Sequence, residues 1–153
     1  MNDKEIYAKA LRLLMVRFLS EGELRKKLHR YDTTDESIDK TIDTLKEERF
    51  IDDERLAADV YRYYVRKGQY GHRYIVNKLR QRHLPVPEER EPIDEYALAE
   101  QLVAKRFASK EKDPRKIARF LQNRGFSGAV IRDMLEFEFR NLFKEWSRNE
   151  IYR

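Results

Sequence analysis

Ile6-Tyr7-Ala8-Lys9-Ala10-Leu11-Arg12-Leu13-Leu14, followed ten residues on by Leu24-Arg25-Lys26-Lys27-Leu28, decides the fold of this chain. Apolar residues four apart fall on one helix face, so Ile6, Ala10 and Leu14 form one stripe and Leu24 and Leu28 a second. The pattern returns in identical register as Ala57, Tyr61, Val65, then Ile75 and Leu79. It returns once more as Ala99, Val103, Phe107, then Ile117 and Leu121. An internal repeat fixes architecture before any single residue does. No segment shows sustained strand alternation. The reading is an all-α chain of three tandem three-helix repeats, each a helix-turn-helix-like unit.

Local signals place the helix ends. A first helix is expected over about Asp3 to Leu19. Ser20 with Glu23 makes a capping box that opens a short helix, and Thr33 with Glu36 repeats the device before a third. Asp52 or Asp53 can cap the next helix, which runs to Lys67 before Gly68. A basic helix is expected from about His72 to Arg82. Pro85, Pro87 and Pro92 leave room for only one or two helical turns after it. Asp113-Pro114 opens a helix that Arg124-Gly125 ends, and Ser127 opens the last one. Leu135, Phe139, Leu142, Phe143 and Trp146 continue at helical spacing, as a capping helix or a docking stripe. The expected boundaries are 1–52, 53–92 with a degenerate third helix and a joint near 85–92, 93–140, and an extension over 141–153.

Of the 153 residues, 40% are charged, which suits helices solvated on one side. The net charge is +5, and its distribution says more. Residues 54–84 carry eight Lys/Arg against two acids, and 101–132 nine against two. Residues 31–53 carry nine acids against three bases, and 85–100 six against one. The first two helices of each repeat are thus basic and the third acidic. A recurring positive face is the footprint of a polyanion or of an acidic protein groove. The densest candidates are Arg62, Arg66, Lys67, Arg73, Lys78, Arg80 and Arg82, with Tyr63, Tyr70 and Tyr74 interleaved as stacking candidates.

The absence of cysteine excludes disulfides, thiolate metal sites and a cysteine nucleophile. Lys9, Arg12 and Arg17 interrupt the N-terminal apolar stretch, so no signal peptide is expected, and a cytoplasmic protein is. His29, His72 and His83 have no metal-ligand spacing, and Asp52-Asp53-Glu54 reads as helix capping. No phosphate-cradling glycine loop and no acid–base pair is present. The expectation is no enzyme, no cofactor and no metal.

Arg17-Phe-Leu-Ser20-Glu-Gly-Glu23-Leu24-Arg25-Lys-Lys27-Leu28, Phe50-Ile51-Asp52-Asp53-Glu-Arg-Leu-Ala57, Gly71-His-Arg73-Tyr-Ile75-Val-Asn-Lys-Leu79-Arg80 and Phe120-Leu121-Gln-Asn-Arg124-Gly125-Phe126-Ser127 together resemble the RecX family. The resemblance covers about residues 5–136. It implies a curved, elongated array that binds the RecA–single-stranded DNA filament and inhibits ATP hydrolysis, strand exchange and coprotease function. It further implies a role in regulating DNA repair and the SOS response. The implied partners are the RecA filament and, more weakly and with salt sensitivity, single- and double-stranded DNA. No membrane is involved, and the expected state is a monomer. The resemblance carries binding roles to Arg25, Lys27, Arg73 and Arg80. The charge pattern adds Arg62, Arg66, Lys78 and Arg119. Tyr31-Asp32, His83-Leu84-Pro85 and the acidic 85–95 stretch depart from the family pattern. The alternatives are a helix-turn-helix DNA-binding protein and a helical-repeat scaffold for another partner.

Overall fold

The computed structural model describes residues 1–108 and 112–151, with the side chains of 141–151 left aside. Every regular element among the described residues is an α-helix: α1 (Asp3–Val16), α2 (Glu21–Leu28), α3 (Asp35–Glu47), α4 (Asp53–Lys67), α5 (His72–Gln81), α6 (Glu95–Arg106), α7 (Pro114–Asn123) and α8 (Gly128–Ile151). They fall into two compact units, Met1–Tyr63 with Asn77–Arg90, and Tyr64–Val76 with Glu91–Arg153.

In the first unit the two stripes of the first repeat close on a common core. Ile6, Ala10, Leu14, Leu24 and Leu28 are buried together with Ile38, Ile42 and Leu45 of α3 and with Leu19 and Ile51. The Asn2 side chain accepts from the Glu5 N–H at 2.9 Å and starts α1. The helix stops at Val16, three residues earlier than expected, because Arg17 is fully extended and leads the chain into the next cap. That cap is the expected box. Ser20 Oγ accepts from the Glu23 N–H, and the Glu23 carboxylate accepts from the Ser20 N–H, each at 3.0 Å. Ser20 is wholly buried, so water cannot replace the hydroxyl. Ser20→Ala is therefore expected to cost about 1–2 kcal/mol in urea denaturation.

The cap of α3 is Thr34 rather than Thr33. Thr34 Oγ1 accepts from the Ser37 N–H at 3.1 Å. Ser37 donates its own hydroxyl to the Asp3 carboxylate, which ties α3 to α1. This register puts Ser37, not Glu36, at the third helical position, so the second capping box does not form. At the next boundary the two aspartates divide the work. Asp52 caps α4 by accepting from the Arg55 N–H at 3.1 Å. Asp53 reaches back and accepts from the Glu21 N–H at the start of α2, at 2.9 Å.

No helical turn forms between Gln81 and Glu95, where one or two were expected. The three prolines lack the N–H that a helix needs. The stretch is anchored all the same: Leu84 and Pro87 are buried, Arg90 donates to the Pro87 carbonyl at 2.9 Å, and its guanidinium lies 6.0 Å from the Tyr61 ring centroid.

In the second unit Ala99 and Val103 of α6, Ile117 and Leu121 of α7, and Val130 and Met134 of α8 enclose Phe126. Asp94 caps α6, and Asp113 with Pro114 opens α7 as expected. The Ser127 hydroxyl accepts from the Val130 N–H at the start of α8. Leu135 packs against this core, while Phe137 and Phe139 are exposed. The remaining tail aromatics, Phe143 and Trp146, and Leu142 lie outside the described side chains.

Candidate interaction surface

The eight basic residues singled out in sequence do not behave alike. Arg25 on α2 donates to Asp39 at 2.5 Å, and that bond holds its guanidinium pKa above the ordinary value. Arg62 on α4 pairs with Asp59 at 3.2 Å. Lys27 and Lys78 are half-buried. Arg66, Arg73, Arg80 and Arg119 are exposed, and none has a carboxylate partner among the described residues. Arg25, Lys27, Arg62, Lys78 and Arg80 belong to the first unit, and Arg66, Arg73 and Arg119 to the second. Arg73 stands two residues before Ile75 and Arg119 two residues after Ile117. That offset turns each about 200° from its buried neighbour and explains the exposure.

Arg82, also in the basic stretch, is an internal strut instead of a surface charge. It bonds the Glu23 carboxylate at 3.1–3.3 Å and donates to the Phe18 carbonyl at 2.8 Å. Arg17 approaches the same carboxylate at 2.9 Å. Burial raises the Glu23 pKa, but the bonds from Arg82 and the Ser20 N–H, with the charges of Arg82 and Arg17, outweigh it and hold the group below the usual carboxylate value. Asp53 goes the other way: burial lifts its pKa against the opposing Glu21 N–H bond.

The second unit contains a joint at equivalent positions. Arg124 follows Leu121 by three residues, as Arg82 follows Leu79. It donates to the Gln69 side chain at 3.0 Å and lies 5.6 Å from the Tyr70 ring centroid and 5.0 Å from that of Phe120. Glu95, first residue of α6, accepts from the His72 N–H at 2.9 Å, as Asp53, first residue of α4, accepts from the Glu21 N–H. Each joint thus seats one helix start on a carboxylate from the next helical pair. One holds its arginine by an ion pair, the other by aromatic faces. Tyr70 and Tyr74 stack on each other at 3.9 Å with Tyr64 edge-on to both, so two of the three stacking candidates are occupied internally. The doubled joint was missed in sequence, although the equal spacing of Arg82 and Arg124 from the stripes was visible.

Asp52 and Asp53 serve the backbone, and no cluster of three or more His, Asp or Glu side chains suited to a metal occurs among the described residues. No helix among them is long and apolar enough to cross a membrane.

Residues 7–45 match the model of the first three-helix domain of RecX, and residues 93–135 that of its third. The regulatory protein RecX of Vibrio vulnificus is 34% identical over 138 residues, covering 84% of this chain and 90% of that protein. The chain belongs to the RecX family. The regulatory protein RecX of Trichlorobacter lovleyi is 29% identical over 146 residues and is covered to 94% of its length. That of Geobacillus thermodenitrificans is 30% identical over 139 residues, and the chain spans about half its length, 52%. The crystal structure of RecX from Lactobacillus salivarius shares the fold with a TM-score of 0.69 at 23% identity, covering 89% of this chain and 95% of that one.

Proposed function

We propose that this RecX-family chain is a non-enzymatic regulator that binds the RecA–single-stranded DNA filament and suppresses its ATP hydrolysis, strand exchange and coprotease function in the cytoplasm. The observation that carries this reading is the set of exposed arginines without carboxylate partners, Arg66, Arg73, Arg80 and Arg119, on helices whose opposite faces are buried. Unneutralised guanidinium groups are the groups that grip phosphates and carboxylates in a groove. Each exposed ion pair contributes only ~0–1 kcal/mol, so affinity has to come from many contacts along an extended surface. Three repeats, bounded at 1–52, 53–92 and 93–140 with an extension beyond, each contribute basic residues to it. Arg25, Lys27, Arg62 and Lys78 complete the proposed binding set, and the protein acts as a monomer.

The test is to titrate the protein into RecA hydrolysing ATP on single-stranded DNA. Micromolar inhibition is expected, and charge reversal at Arg73, Lys78 and Arg80 together is expected to weaken it about tenfold or more. Absence of inhibition by the unaltered protein would rule the reading out. Direct DNA binding is expected to weaken with salt, with a log–log slope of about −0.7 per single-strand phosphate contact.

A further inference from the structure

We propose that a groove in the first unit, between the α1–α2 turn and the start of α4, is a docking site for an acidic peptide bearing one aromatic or leucine anchor. Its apolar lining is Phe18, Leu19, Phe50 and Leu56. Phe18 is 69% exposed and Phe50 43%, unusual for phenylalanines beside a formed core. Phe18 and Phe50 line the same groove, so the exposed apolar surface is shared by two segments and is not a single stray side chain. The cavity encloses about 120 Å³. A dry cavity of about 150 Å³ holds benzene, so the space matches one ring or one branched aliphatic side chain.

Charge selects the partner. Two arginines and two aspartates also line the groove, but they are not equally available. Asp52 is spent on the Arg55 N–H and Asp59 on Arg62. The Arg49 and Arg55 guanidinium groups have no carboxylate partner among the described residues. Carboxylates brought by a peptide would meet unneutralised cations, and the Arg62 contact to Asp59 already offsets one of the two aspartates. Arg49 also sits in the left-handed region at φ 62°, where glycine is the favoured residue.

The strain makes the test decisive. The probe is a fluorescein-labelled twelve-residue peptide of alternating Asp and Glu with one central Phe, compared with its Lys-substituted counterpart, by fluorescence anisotropy. Saturable binding of the acidic peptide alone is expected. Phe18→Ser and Arg49→Gly should each weaken it at least fivefold, while Arg49→Gly keeps or raises the melting temperature and Gln122→Glu, at an exposed position of the other unit outside the arginine set, changes nothing. No saturable binding, equal binding of the Lys peptide, or binding untouched by both groove substitutions would overturn the proposal. So would a monomer–dimer equilibrium in sedimentation that Phe18→Ser abolishes, since the occupant would then be a second copy of the chain.

Discussion

Gly125→Ala is expected to destabilise the second unit by about 3 kcal/mol. The position combines two demands. Its φ of 84° lies in the left-handed region that ends α7, where a Cβ is strained. A Cβ there would also stand 2.3 Å from the Tyr74 backbone nitrogen and 2.5 Å from its Cβ. Those atoms belong to α5 and cannot swing aside like the tip of a long side chain. The approach is close because the Gly71 N–H donates to the Arg124 carbonyl at 2.8 Å, so two helix ends meet backbone to backbone. Neighbouring glycines calibrate the effect. Gly68 has φ 61° but open space around it, so alanine there should cost only about 1 kcal/mol. Gly128, at the first position of α8 with nothing within 4 Å, should accept alanine without loss. Urea denaturation of the three variants, followed by far-UV circular dichroism, checks the order. Equal costs at positions 68 and 125 would show that strain alone acts and that the backbone approach does not.

The sequence made the helices legible because burial follows the helical period. Thirteen of the fifteen stripe residues are buried, and only Val65 and Phe107 are half-exposed. Capping was legible to within one residue: Thr34 takes the place expected of Thr33, because the register that buries Ile38, Ile42 and Leu45 outranks the Thr–Glu spacing. Proline content announced a missing helix but not how the replacement is held, since Arg90 reaches the ring of Tyr61, twenty-nine positions back in the chain. The basic surface was legible only as a density of charge. Counting cannot tell Arg73, which faces solvent, from Arg82, whose partner Glu23 lies fifty-nine positions away. The Phe18 groove left no signal either, because its walls come from two separate segments and a lone phenylalanine in a turn looks like core.

Arg82→Ala is expected to cost about 2 kcal/mol at pH 7, and that cost should fall on acidification to the part carried by the Phe18 carbonyl bond. The Glu23 side chain is 13% exposed and Arg82 22%, so removing the guanidinium leaves a largely buried carboxylate without its main partner. The folded-state pKa of Glu23 is depressed, so its stabilisation is fully present above the unfolded value of about 4.3 and is lost as pH falls through the folded value. Asp53 has the opposite sign: its raised pKa gives a contribution present below about 3.9 and lost as pH rises. Asp53 is common to both proteins, so it cancels when the variant is subtracted from the parent. The difference should therefore shrink steadily below pH 4, and 1 M salt should reduce it only in part because the pair is shielded from water. Arg124 occupies the equivalent place in the second unit, but its guanidinium lies over Tyr70 and Phe120. Arg124→Ala should cost about 1 kcal/mol, and the same amount at pH 3 and pH 7, since no carboxylate takes part. Denaturation of both variants across this range compares an ion pair with a cation–π contact at one architectural position. A pH-independent cost at Arg82 would mean that its bond to the Phe18 carbonyl, not the Glu23 charge, holds the joint.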